Sequence, residues 1–188
     1  MNKKAVSTLL IVGVVVIVVV VAGVAAYWML TNPAGIGEQT GGEETGGEET
    51  GGGTAPNVAG ASSLQFDVIA TMEGVQEKYT FMAKNIGTSN LMMRVDQTDA
   101  QGNAFKYIIN SVEQKVWVYY DGQWVDMSDQ FSMYWDQWKP AFDGYKSNLE
   151  GWSGTGDYEY TANGNSFKIT NILVNPTLPD SLFQPGTH

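Results

Sequence analysis

The chain contains no cysteine. Disulfides, thiolate zinc centres, thiol nucleophiles and a lipid-modified cysteine anchor are therefore excluded. An extracellular domain can do without disulfides if its core is large enough. Histidine is almost as scarce. The one residue, His188, ends the chain, where a metal ligand or general base would be unheld. Basic residues are few as well, ten Lys and Arg against twenty Asp and Glu for a net charge of −10. From Val58 onward eight basic residues face fifteen acidic ones, with no basic stripe to meet a phosphate backbone. No nucleic-acid partner is expected.

Charge of either sign is missing from residues 5–30, which are dominated by Val, Ile, Leu and Ala. As a helix this segment would extend roughly 39 Å, enough to cross a hydrocarbon core of about 30 Å with some tilt. Lys3 and Lys4 precede it and favour a cytoplasmic N-terminus for residues 1–4. Tyr27 and Trp28 stand where an interfacial aromatic anchor belongs. A retained transmembrane helix is the expectation. Two alternatives stay open. Val24-Ala25-Ala26 reads as a signal-peptide cleavage site, although the apolar core of such peptides is only about 7–15 residues long. The stretch KKAVST resembles the leader of archaeal type IV pilin-like proteins, which a peptidase would cut just before the apolar helix.

Residues 31–60 form a different texture. TGGEETGGEET, then three further glycines, is too poor in apolar residues to pack. Glycine keeps it flexible and glutamate repulsion keeps it extended, which makes it a linker. Its root-mean-square reach is about 26–32 Å, roughly one diameter of the domain that follows.

Residues 61–188 read as that domain, mainly β. Leu64, Phe66 and Val68 alternate with Gln65 and Asp67, and Tyr79, Phe81 and Ala83 with Thr80 and Lys84. Leu91, Met93 and Val95, then Phe105, Tyr107 and Ile109, continue the period of two. Asp121-Gly122 and Asn163-Gly164 sit between further strand-like runs and are strong hairpin signals. The pattern predicts a meander of antiparallel hairpins. One segment breaks it. Phe131, Tyr134, Trp135, Trp138, Phe142, Tyr145 and Leu149 recur at spacings of three and four, an apolar helical stripe that must lie against the sheet. Ser128 is the expected N-cap, and Pro140 is expected to kink or split the helix. The final VNPTLPDSLFQP alternates proline with large apolar residues, and is expected to be a stiff strap closing one edge of the sheet.

The run VWVYYDGQWVDM (116–127), the aromatic helix after it, and FKITNILVN followed by LPDSLF at the end together resemble the LolA/LppX-like proteins. These are periplasmic lipoprotein carriers and their membrane-anchored relatives. The resemblance covers about residues 62–185 and is one of pattern. It implies a strongly curved antiparallel sheet, an unclosed barrel, wrapped over helices around an apolar cavity that accepts acyl chains. Two departures accompany it. The family usually has a helix before its first strand, for which only residues 57–63 are available, and the soluble carriers lack a tether.

Chemistry beyond binding has little to stand on. Asp126, Asp129 and Asp136 read as solvated surface acids, and the oxygen-rich loop from Asp96 to Asn103 does not match EF-hand spacing. No catalytic constellation, metal site or cofactor is expected. The methionines, Met93 among them, either fill the core or adapt an apolar surface to varied partners. A membrane-tethered, extracytoplasmic binder of a lipid or other amphiphile is the leading expectation. Its candidate ligand-binding residues are Phe131, Tyr134, Trp135, Trp138, Phe142, Met93 and Trp117. A pilin-like filament subunit and a cell-surface glycan binder, using exposed Trp and Tyr to stack on sugars, are the alternatives.

Overall fold

The computed structural model of the protein describes residues 57–186. The apolar segment at 5–30, nearly all of the linker and His188 lie outside the described residues. Strands β1 (Ser63–Met72), β2 (Val75–Lys84), β3 (Met92–Thr98), β4 (Ala104–Asn110), β5 (Lys115–Tyr120) and β6 (Gln123–Asp126) follow one another as antiparallel neighbours. Helix α1 (Phe131–Leu149) comes next, and β7 (Tyr158–Ala162) and β8 (Asn165–Val174) complete the sheet. The strand order is β6-β5-β4-β3-β2-β1-β8-β7. The expected meander is thus interrupted by the helix. β8 returns to pair with β1, and the sheet stays open, with β6 and β7 at opposite edges.

The tight hairpins follow from local chemistry. Asp121 and Gly122 have φ of 50° and 80°, Asn163 and Gly164 53° and 78°, and Glu73 and Gly74 51° and 79°. Positive φ at both central residues is what a two-residue turn needs to match the twist of its strands. A less obvious signal sits in β8. Between Gln65 and Asp67 the β1–β8 register shifts, and opposite that shift Asn171 has φ 52°. This is a bulge, with asparagine taking the left-handed position. The Asn171 side chain donates to Asp67 at 2.9 Å.

Alternation gives the sheet two faces. Leu64, Phe66, Val68, Phe81, Met93, Val95, Tyr107, Ile109, Val116 and Ile169 point to one side and are buried against α1. Phe142 stacks on Phe66 at 6.1 Å between ring centroids, and Trp138 meets Tyr107 at 4.9 Å and Phe81 at 6.1 Å. Tyr145 meets Phe81 at 5.4 Å. The apolar stripe does lie on the sheet.

Three details differ from the sequence reading. Ser128 is not the cap of α1. It opens a separate 3-10 turn (Ser128–Gln130), and its hydroxyl bonds Asp126 and accepts from the amide of Val116 at 3.2 Å. Gln130 holds the N-cap position of α1. Pro140 does not split the helix, which runs continuously from Phe131 to Leu149. Only one backbone donor is lost at a proline, and burial of Trp138 and Phe142 on either side holds the helix together across it.

The third difference concerns the strap. It does not close an edge. Asn175 ties its start to β1, donating its amide to Ser63 at 2.9 Å and accepting from the amide of Ser62 at 2.8 Å. The chain then crosses the face opposite α1, over the middle strands. Its 3-10 turn (Asp180–Phe183) rests on β3 and β4. Phe183 is buried with Met82 and Ile108, beside Trp117, Trp124, Leu178 and Leu182. Lys84 pairs with Asp180 and lies 4.7 Å from the Phe183 ring centre, while Arg94 donates to the carbonyl of Leu182 at 3.3 Å. The physical reason is the row Met82–Arg94–Ile108–Trp117 across β2 to β5, whose apolar members would otherwise face water. Residues 57–62 before β1 form a turn and no helix. Among the described residues no helix is long and apolar enough to cross a membrane.

Candidate functional site

Helix α1 presents two flanks along the sheet. One carries Trp135, Lys139, Phe142 and Lys146, each roughly one turn from the last. Opposite this flank stands the β2–β3 connection, Ile86-Gly87-Thr88-Ser89, followed by Leu91 and, from the end of β4, Ser111. Together they bound a groove of about 410 Å³. Small-molecule sites commonly span roughly 300–1,000 Å³.

The wall made by the connection is built in advance of any ligand. Asn85, at φ 59°, donates its side-chain amide to the carbonyl of Asn90 at 3.0 Å, and Thr88 donates to the carbonyl of Asn85 at 2.8 Å. The Ser111 hydroxyl lies 2.8 Å from the carbonyls of both Ser89 and Leu91 and shares its one proton between them. Gly87 has φ 79°, a backbone position open to glycine at little cost. The amide of Ile86 is anchored on Ser62 at 3.0 Å.

The floor and helix side are apolar. Leu91 and Phe142 are buried, and Trp135 is half-buried and stacked on Phe131 with centroids 5.6 Å apart. The rim is charged. Lys139 pairs with Asp143, which also lines the groove, and Lys146 donates to the carbonyl of Ala59 at 3.1 Å and lies 3.5 Å from Glu150.

The residues singled out from sequence divide accordingly. Trp135 and Phe142 line the groove, with Phe131 beside them. Met93 faces the core on β3, aligned with Ala83 and Ile109. Tyr134 and Trp138 occupy the other flank, each 1% exposed, against Tyr107 and, for Trp138, Tyr79 as well. Trp117 is on the far face of the sheet with Ile108 and the strap, under the Lys115 ammonium at 5.7 Å. Sequence reasoning missed Ile86, Leu91, Ser111, Lys139 and Lys146. The lysines could have been found, since they fall on the helical register of Trp135 and Phe142. Nothing local marks the other three.

The Tyr134 flank is aromatic with polar tips. Glu77 is 6% exposed on the helix face of β2 and accepts from the Tyr79 hydroxyl. Burial pushes the phenols of Tyr79, Tyr107, Tyr145 and Tyr160 above their ordinary range, and that of Tyr134 up to about 12. The Glu77 carboxylate adds to the effect on Tyr79, Tyr107 and Tyr145. Among the described residues the Tyr134 and Tyr160 hydroxyls, the Trp138 indole N–H and the Gln137 carbonyl have no hydrogen-bond partner.

Oxygen ligands are otherwise engaged. Asp99 accepts from the amides of Gln101 and Asn103 at 2.9 and 2.8 Å, and Asp96 binds Arg94 through both oxygens. Among the described residues no three His, Cys, Asp or Glu side chains are grouped to hold a metal ion. A second hollow, of about 310 Å³, lies by Gln76, Glu159, Tyr160 and Lys168. Compared with known proteins, the chain matches no family model, no curated protein and no solved structure.

Proposed function

We propose that the protein is a membrane-tethered, extracytoplasmic binder of a lipid or other amphiphile. The observation that carries this reading is the groove between α1 and the β2–β3 connection, with an apolar floor of Leu91, Trp135 and Phe142 beneath a charged rim. An apolar trough with polar groups at one border suits a molecule with a tail and a head. An open antiparallel sheet packed on one aromatic helix supports this reading. The uncharged residues 5–30 and the Gly/Glu linker would hold the site within reach of a bilayer surface. Stacking on sugars is less well supported, because among the described residues each tryptophan is buried or half-buried.

Native mass spectrometry of the full chain extracted in a mild non-ionic detergent tests the reading. The expected spectrum contains a lipid adduct, or gains one on addition of an acyl probe. Trp135→Ala should lower probe occupancy about five- to tenfold, the effect of removing one large apolar contact. Trp138→Ala serves as the contrast, costing about 3–5 kcal/mol of stability as a core truncation. A bare wild-type chain that takes up no acyl probe would refute the proposal.

A further inference from the structure

Resting on that reading, we infer that the groove selects amphiphiles by head charge, taking an anionic head at Lys139 and Lys146. The domain is acidic, with eight basic and fifteen acidic residues from Val58 onward. Two of those eight basic residues line this one groove, against the single carboxylate of Asp143. They lie on the same helical flank as Trp135 and Phe142, which provide the apolar floor. Tail and head would therefore be read by one side of one helix.

Neither ammonium is fully committed. A lysine has three N–H donors. Lys139 uses its contact with Asp143, and Lys146 uses the Ala59 carbonyl and the more distant Glu150. The Lys146 side chain is only 16% exposed and that of Lys139 31%, so both heads are held near the groove, and their charge is less screened than on an open surface. A phosphate or carboxylate entering there forms ion pairs with the two ammonium groups, whereas an alcohol oxygen accepts their hydrogen bonds without the added attraction of opposite charge. A quaternary ammonium head faces two ammonium groups against the one carboxylate of Asp143, a net repulsion. Asp143 pairs with Lys139 and falls between the two lysines along the helix.

The test uses the full chain in nanodiscs of a neutral phosphatidylcholine. Three diazirine probes with the same saturated chain are added at equal mole fraction, one ending in phosphate, one in alcohol and one in trimethylammonium. Photolabelling is read by peptide mass spectrometry over residues 84–94 and 131–149. The phosphate probe is expected to label these peptides about five- to tenfold more than the alcohol, the preference two partly buried ion pairs supply. The trimethylammonium probe is expected to label least. Lys139→Met with Lys146→Met should bring phosphate and alcohol to the same level while alcohol labelling persists. Raising the salt concentration should shrink the preference. A carboxylate-headed probe run beside the phosphate one shows which anionic head is favoured. Equal labelling by phosphate and alcohol in the wild-type chain would overturn charge selection and leave amphiphile binding standing. Absence of labelling by all the probes would overturn both.

Discussion

Asp67 shows how one side chain can join three strands. It sits on the face of β1 opposite the helix, 8% exposed, and accepts from Thr80 on β2 and from Asn171 at the bulge of β8. Lys78 adds an ammonium at 3.4 Å. Burial acts most strongly on this carboxyl and raises its pKa, but the hydrogen bonds from Thr80 and Asn171 and the Lys78 charge together prevail, and the pKa ends below 3.8. A folded-state pKa below the unfolded one means the ionised form stabilises the fold. That contribution is present above the unfolded value and is lost as pH falls through the folded one. Asp67→Asn should therefore cost stability near neutral pH, about 1–3 kcal/mol for a hydrogen-bonded buried charge. The deficit relative to wild type should shrink as pH falls below about 4. Urea unfolding midpoints at several pH values would check this, and a constant deficit across the range would count against it.

At the scale of elements, the strap is a cover. A row of apolar groups on the outer face of an antiparallel sheet is unusual when that face meets water. Here Met82 and Ile108 are buried because Phe183, itself 2% exposed, lies over them. The polar attachments at either end, Asn175 on β1 and Asp180 on Lys84, fix where it crosses. Phe183→Ala should cost about 3–5 kcal/mol. It should also increase binding of a hydrophobic dye to the native state, by baring Ile108 and Met82, while strand content in circular dichroism stays the same. An unchanged unfolding midpoint would mean the strap contributes no such cover.

The whole molecule carries an alkaline limit. Tyr79, Tyr107, Tyr134, Tyr145 and Tyr160 all have phenols raised above 10.0, with burial as the leading cause in each. For an acid with a raised folded-state pKa, the neutral form is the one the fold favours. Its contribution is complete below the unfolded pKa and declines as pH rises above it, because the unfolded chain then releases protons that the folded chain retains. Stability should fall steeply above about pH 10, with several protons released per unfolding event. Tyrosinate absorbance from these five phenols should then appear together with loss of structure. A smooth single titration with retained structure would show that the tyrosine flank is open to solvent.

Much of the fold was legible because its causes are local. Alternation at Leu64, Phe66 and Val68, the Asp-Gly and Asn-Gly turns, and the helical spacing from Phe131 to Leu149 each depend on residues within one turn or hairpin. Trp135 and Phe142 were found for the same reason, as members of one stripe. The stripe could not say which of its residues would be core and which would border a groove. That division arises only when the sheet covers one flank of α1 and the β2–β3 connection stands off the other. Ile86, Leu91 and Ser111 join the site through pairing of β2, β3 and β4, and no spacing in the chain records it. The period of two told that Trp117 and Met93 lie on strands. Their opposite faces were decided by register across the sheet, since a shift of one residue exchanges the sides. The strap carried its stiffness and its apolar groups in its sequence. Its place over the middle strands was decided by where the sheet left apolar surface uncovered, which is a property of the assembled fold.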